Sequence, residues 1–433
     1  MSNSSSHGIP DAVDVAVIGG GIIGVCTAYV LAQQGVSVAV FEKGVLAGEQ
    51  SSRNWGWVRT LNRDAAEIPL ALRAQTLWGE IQSRIDVGFR RTGILYLQES
   101  DDDRARHARW IDIARPYGCD ATLLTSHQVA KYLPPSPRPW CGALYSASDG
   151  VAEPGLATQG IAALAREHGA RLYEHCAVRG LDVQAGKVAG VVTEHGRVRA
   201  QAAVLAGGAW SRLFCGNSGV EFPQLKVRGS VMRTHPFPAS LDVAVNAGDF
   251  TCRKRADGGY TVSQFDASIA DVVPDSFRLM GKFMRTWLAN KTFVRLRLGR
   301  RFFEELAIAR RFDLDSTTPF EQHRVLDPQP AAAAVRQAWK RLVATFPAFN
   351  ETRIAQSWAG YIDVTPDALP VMSAVQQVPG FFLASGFSGH GFGIGPAAGE
   401  VMADLVLGRE PRVDIEAFRF SRFDRPASAT DRP

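Results

Sequence analysis

From Asp14 to Ile18 the chain runs through Val, Ala and Ile, the pattern of a buried β-strand. A glycine cluster follows, then Ile22 to Gln34 reads as a helix and Val36 to Glu42 as a second β-branched strand. Together they make one complete βαβ unit. A second α/β stretch comes later: Gly155–His168 is helical, Ala170–Glu174 and Lys187–Glu194 are strand-like, and Ala200–Ala206 is an apolar strand. Between the two, residues 90–149 mix strand, turn and helix signals around the Pro-rich stretch Pro134 to Pro139. Residues 226–265 alternate apolar and polar like antiparallel strands, and 278–311 is helical. Phe381 to Ala384 returns to a short apolar strand before a glycine loop, and no internal repeat is present. The tail from Phe418 to Pro433 is polar and Pro-containing, and loose order is expected of it. The α/β pieces are interrupted twice, which predicts a discontinuous α/β domain with a sheet-rich domain inserted into it.

A chain of 433 residues exceeds what one core usually fills, so two packed domains agree with the pattern. The 46% apolar and 21% charged content is that of a soluble globular protein. Met1 to Asp14 carries neither a basic nor an apolar signal region, and no window approaches ~18 uninterrupted apolar residues. Six scattered cysteines, with no CxxC pair or metal-ligand spacing, read as free thiols. Both observations predict a cytoplasmic location and no metal site.

Charge changes the picture at one place. Residues 278–311 hold ten Arg or Lys against Glu304 and Glu305, a local +8 in a chain whose net charge is +5. Leu279, Met280, Phe283, Met284, Trp287 and Leu288 form an apolar stripe there, continued by Phe302, Phe303, Leu306 and Ala307. Such a segment either lies peripherally on an anionic inner membrane face or packs as a lid or partner face with a solvated basic side. No recognised fold or base-stacking motif accompanies the charge, which argues against nucleic acid.

Gly19-Gly20-Gly21-Ile22-Ile23-Gly24 sits between the first strand and the helix, with Gly19, Gly21 and Gly24 at the three fingerprint positions of a dinucleotide-binding turn. The first glycine permits the tight turn, the second lets backbone approach a pyrophosphate, and the third lets helix pack on strand. The helix start at Ile22 and Ile23 offers free N–H groups to phosphate. Glu42, with Lys43 after it, ends the second strand eighteen residues beyond Gly24, where its carboxylate can accept from ribose hydroxyls.

NAD and FAD share this fingerprint, and three further stretches discriminate. Ser51-Ser52-Arg53-Asn54-Trp55-Gly56 is a polar loop after the second strand. Leu205-Ala206-Gly207-Gly208-Ala209-Trp210-Ser211 is an apolar strand running into two glycines and a tryptophan. Ala384-Ser385-Gly386-Phe387-Ser388-Gly389-His390-Gly391-Phe392-Gly393-Ile394-Gly395-Pro396 is a second glycine loop leading into an Ala-rich helix. With Asp149-Gly150, Pro154, Trp358-Ala359-Gly360, Thr365-Pro366-Asp367 and Pro370, these resemble the family of FAD-dependent D-amino-acid, glycine and sarcosine oxidases, over about Asp14 to Gly408.

The resemblance implies an α/β fold. A Rossmann-like FAD-binding domain spans 12–90, 150–225 and 355–412, and an inserted mixed-sheet α+β substrate domain spans 91–149 and 226–354, with a tail at 413–433. It implies that Val178 holds the adenine by backbone bonds and that the 386–395 loop faces the isoalloxazine. In such enzymes the flavin accepts a hydride from the carbon beside nitrogen, leaving an imine that water hydrolyses. A small amine or amino acid is the expected substrate, with an N-substituted glycine or iminodiacid favoured. A hydroxy-acid dehydrogenase and a quinone-linked D-amino-acid dehydrogenase are the alternatives. Arg59 is the first candidate to hold a substrate carboxylate, against a phosphate or ion-pair role. His390 contacts flavin or substrate, or is a packing histidine. Tyr361 and Tyr260 are candidate wall residues, or core tyrosines.

Departures from the family pattern carry information. Gly393 stands where the sarcosine-oxidase type has a lysine, Gly360 where it has a tethering cysteine, and Asn54 near where some relatives have a tethering histidine. FAD is therefore expected to be non-covalent. Thr261 stands near the place of the oxygen-activating lysine, so the electron acceptor is oxygen or a quinone. The oligomeric state stays open.

Overall fold

The computed structural model describes residues 8–265, 268–290 and 294–424. Its framework is a pair of sheets. The first has the order Val371–Ala374, Phe381–Ser385, Gly196–Leu205, Ala12–Ile18, Val38–Phe41, Arg171–Tyr173. Its central pairings are parallel, and Phe381–Ser385 turns back antiparallel to Val371–Ala374. Lys187–Thr193 and Val178–Gln184 extend Gly196–Leu205 as an antiparallel ribbon.

The apolar run that predicted the first strand is buried on both faces, as parallel strands are. Val15 and Val17 join a cluster under the helices Ile22–Gln33, Ile68–Arg84, Pro154–Glu167 and Gly391–Val406. Ala16 and Ile18 face the opposite cluster, with Trp210, Phe214 and Phe222. Gly399 makes the helix contact close, because a Cβ there would stand 2.6 Å from the Cys26 backbone carbonyl carbon.

The second sheet is mixed, with ten strands among the described residues. Leu225–Thr234 lies near its middle, antiparallel to Ile354–Val364 and Tyr260–Gln264. Ile354–Val364 was expected with the first sheet. It pairs along its whole length with Leu225–Thr234 instead, with most of its residues half-exposed.

Two expectations need correction. The segment 278–311 is not continuous helix: the helices Met280–Asn290 and Arg300–Ala307 flank the strand Val294–Arg297, which pairs parallel with Ser268–Asp271. Residues 291–293 lie outside the described part. The tail is also ordered further than its polarity suggested. Phe418 and Phe420 are buried, and Arg422 grips Asp367 with two bonds of 2.7 and 3.1 Å. Residues 425–433 lie outside the described part.

Candidate active site and cofactor cavity

A cavity of about 540 Å³ runs from the glycine turn at the end of Ala12–Ile18 to the facing strands of the second sheet. Its first end is built by the fingerprint. Gly19 has φ +111°, and a Cβ there would stand 2.4 Å from the Ala206 carbonyl oxygen. A Cβ on Gly21 would approach Ser51 Oγ to 2.9 Å, and one on Gly24 would meet the Gly19 carbonyl at 2.0 Å. Only hydrogen fits at Gly19 and Gly24, and at Gly21 a Cβ would crowd the Ser51 hydroxyl that accepts the Ile22 amide. The amide of Ile22 donates to Ser51 Oγ at 2.8 Å, and the amides after it lie in the first turn, where no carbonyl precedes them. Glu42 accepts from the Gly20 amide at 2.7 Å and the Gly44 amide at 2.8 Å. Burial raises its carboxyl above the ordinary range, against those two bonds. Lys43, Val178, Ala206, Gly207 and Trp210 complete this end. Trp210 Nε1 donates to Glu49 at 3.2 Å and carries Lys43 Nζ 4.7 Å over its ring.

The loop 51–56 forms the middle of the wall. Asn54 Nδ2 donates to the Gln50 and Ser51 carbonyls, and its Oδ1 accepts the Gly56 amide at 2.8 Å, so this side chain ties the turn together. Arg53 bridges Asp327 at 2.8 Å and the Ala359 carbonyl at 3.2 Å. Behind the loop, the buried Arg253 pairs bidentately with Glu153 and donates through Nε to the Trp55 carbonyl at 2.7 Å. That bond fixes Trp55, whose ring packs on Trp57 and Phe265 inside the cavity.

At the far end two glycine-rich elements meet a cationic loop. Gly389 has φ +87°, and the loop delivers His390 to the start of Gly391–Val406. Gly393 packs so tightly on Val58 and Trp57 that a Cβ would reach the Trp57 carbonyl at 2.7 Å. Asp149, fully buried, holds residues 59–63 from behind: it accepts from the Thr60 amide at 2.7 Å, the Thr60 hydroxyl at 2.9 Å and Gln75 at 2.6 Å. Burial pushes its carboxyl up to about 6, opposed by the Thr60 and Leu61 bonds. The loop so held presents Arg59 and Arg63 to the cavity. Arg59 donates to the Leu61 carbonyl and lies over the Tyr96 ring at 5.8 Å. Arg63 is 4% exposed, and its Nη1 has no hydrogen-bond partner among the described residues. Burial, with Arg59 nearby, lowers it to about 10, so it stays a cation at neutral pH.

His390 Nδ1 lies 3.0 Å from the buried Glu67 carboxylate. Burial and the Arg63 charge push the imidazole down to about 4, against the Glu67 contribution, so it is neutral near pH 7. A carboxylate only accepts, so the single ring proton sits on Nδ1 and leaves a lone pair on Nε2.

A tight glycine turn, a helix start, an acidic strand end and a long cavity fit a dinucleotide cofactor. Residues 14–405 match the DAO family, FAD dependent oxidoreductase. The chain belongs to this family. The DAO-family chain is 26% identical to the sarcosine oxidase subunit beta of Arthrobacter sp, over 95% of its own length and 91% of the relative's. It is 28% identical to the glycine oxidase of Geobacillus kaustophilus, over 94% and 97%. Among solved structures, the L-amino acid deaminase from Proteus myxofaciens in complex with anthranilate superposes with a TM-score of 0.94 at 32% identity, covering 98% of this chain and 96% of that one.

Within this DAO-family fold most of the expected site residues share one cavity: Gly19, Gly21, Ile22, Ile23, Glu42, Lys43, Ser51, Arg53, Asn54, Trp55, Gly56, Val178, Ala206, Gly207, Trp210, Gly389, His390, Gly391, Phe392, Gly393, Arg59 and Tyr361. Five do not. Tyr260 sits in the core of the second sheet with its hydroxyl on the Ala239 carbonyl at 3.2 Å. Ile394 is fully buried in the helix cluster. Ser52 turns back to the Glu49 carbonyl. Gly24 is consumed by the helix–strand contact, and Gly386, at φ +75°, donates to Asp363 at 2.7 Å to make the turn. Thr261 also lies off the cavity; Ser263 and Gln264 of that strand line it. Lys43 is the one lysine among the lining residues described. Arg63, Glu67 and Phe265 escaped the sequence reading. A second arginine four residues after Arg59 was the available signal for Arg63.

Proposed function

We propose that this DAO-family protein oxidises the C–N bond of an α-amino acid with an apolar side chain, giving an imino acid that water converts to the keto acid and ammonia. The observation that carries the reading is Arg63, a buried guanidinium without a partner for Nη1, in a wall shared with Arg59. A buried guanidinium nitrogen left without an acceptor is costly, and a planar fork pairs best with a carboxylate. The rings of Trp55, Trp57 and Phe265 line the same cavity and suit an apolar side chain. Bound FAD supplies the acceptor for the hydride from the carbon bearing nitrogen. The chain's own part is to fix the carboxylate at Arg59 and Arg63, to exclude water with the three rings, and to offer the Nε2 lone pair of His390 to the substrate ammonium. The sequence alone favoured an N-substituted glycine or iminodiacid. The aromatic wall, and the similarity to an L-amino acid deaminase over nearly the whole chain, favour a primary α-amino acid. Incubation with both enantiomers of an aromatic amino acid, with sarcosine and with a hydroxy acid tests this. Ammonia and keto acid are expected from the first, and product from the hydroxy acid alone would overturn it.

A second reading concerns the electron acceptor. Phe277, Met280, Met284, Trp287, Leu288, Leu296, Leu298, Phe303 and Leu306 are exposed on the basic segment, and no helix among the described residues is long and apolar enough to cross a membrane. This favours a cytoplasmic protein seated peripherally on an anionic inner leaflet, with a quinone as acceptor. Co-sedimentation with anionic vesicles, lost at high salt, is the expected result. No binding together with fast turnover on oxygen would leave a lid or subunit contact.

A further inference from the structure

We propose that residues 318–327 are a clasp that closes over the adenosine half of bound FAD and sets the rate at which the cofactor leaves. The proposal rests on placing that half at the Glu42–Val178 end of the cavity. Phe320, Arg324 and Val325 line the cavity beside Glu42, Lys43 and Val178, although they follow the basic segment and belong to neither strand of the fingerprint. A dinucleotide lying along the fingerprint therefore has this strap as its outer wall.

The strap is fastened at both ends and in the middle. Upstream, the Leu314 side chain fills a notch at Gly180, where a Cβ would come within 2.6 Å of it. Arg179 of the ribbon pairs bidentately with Glu321 at 2.7 and 3.1 Å. Phe320 inserts its ring between Trp210 and Phe214. In the middle, Lys43 Nζ donates to the His323 and Arg324 carbonyls at 2.9 and 2.8 Å. Arg324 returns the contact by donating to the Lys43 carbonyl at 2.9 Å and to Glu194 Oε2 at 2.6 Å. Downstream, Glu49 accepts the Leu326 amide at 2.9 Å and Arg53 holds Asp327. Gly44 permits the closeness: a Cβ there would stand 2.4 Å from the Arg324 carbonyl oxygen.

Apart from Phe320, whose ring leaves the cluster around Trp210 and Phe214, these fastenings are mostly half-buried ion pairs and main-chain bonds, which can release as a unit. A continuous apolar seam would not do so. Lys43 and Glu49 thus serve twice, toward the cofactor end of the cavity and toward the strap.

The test uses the holoenzyme and follows the fluorescence of released FAD after dilution. Arg324→Ala and the shape-preserving Glu321→Gln are expected to speed release about tenfold each, and high salt to speed wild-type release. Arg106→Ala, which breaks an exposed pair with Asp103 on the helix Asp101–Ala114, is the control expected to change nothing. A second measurement reads trypsin cleavage after Arg324 in the apoprotein by mass spectrometry. ADP is expected to protect this bond and FMN to leave it open. Unaltered release in both strap variants would overturn the clasp. Protection by FMN and not by ADP would overturn its placement over the adenosine half while leaving FAD binding intact.

Discussion

Glu67 and His390 are 323 residues apart in sequence and 3.0 Å apart in space. Burial keeps the imidazole neutral against this pairing, and the pairing fixes its proton on Nδ1, leaving Nε2 as an acceptor. Its pH dependence has a definite sign. A histidine lowered to about 4 when folded, against about 6.5 unfolded, binds fewer protons in the native state between those values. Stability is therefore lost as pH falls through that window. From pH 7 to pH 5 wild type should lose about 2 kcal/mol more than His390→Asn. Urea unfolding at the two pH values measures this, and equal losses would remove the neutral imidazole from the account.

Arg59 is half-buried and Arg63 buried in one cavity wall, the seat proposed for a substrate carboxylate. Arg63→Met should raise the amino-acid concentration for half-maximal flavin reduction roughly 10–100-fold. Arg59→Lys, which keeps charge and loses the fork, should raise it less. Flavin occupancy is measured in parallel. Lost FAD with an unchanged response in the remaining holoenzyme would assign these arginines to the cofactor.

Gly21→Val should abolish FAD retention and leave a folded apoprotein, since a Cβ at that position already approaches Ser51 Oγ to 2.9 Å. Absorbance of the purified variant reads the outcome. In wild type, acid precipitation should leave the flavin in the supernatant, because the described lining residues include no cysteine.

Tyr260 and Tyr361 should part company. Tyr260→Phe removes a buried bond to the Ala239 carbonyl and should cost about 1 kcal/mol of stability with unaltered flavin reduction. Tyr361→Phe changes the cavity wall beneath Arg301, whose guanidinium lies 5.3 Å over its ring, and should change reduction kinetics more than stability. Thermal melts and anaerobic reduction rates on both variants separate the two roles.

The same contrast explains what was legible in sequence. The fingerprint end was readable because Gly19, Gly21 and Gly24 answer local backbone demands that only glycine meets, and Glu42 lies at a fixed distance along one βαβ unit. Tyr260 and Tyr361 carry identical local signals. Only the pairing of their strands shows that one is core and the other wall. Arg63 looked like any loop arginine until Asp149, 89 residues from Thr60, held its loop against the cavity. The strap at 318–327 has no periodicity, and the partners that fasten it come from residues 43–53 and 179–214, more than 100 residues away. The strand Val294–Arg297 was hidden by the helical spacing on either side of it.

The central claim is that a carboxylate seated at Arg59 and Arg63 presents an amino-bearing carbon to the flavin. Anaerobic bleaching of the bound flavin by three compounds sharing one aromatic side chain tests it directly: the α-amino acid, its decarboxylated amine and the corresponding hydroxy acid. Rapid bleaching by the amino acid, at least about 100-fold slower bleaching by the amine, and none by the hydroxy acid is the predicted result. Equal bleaching by amino acid and amine would contradict the carboxylate seat, and bleaching by the hydroxy acid alone would contradict C–N oxidation.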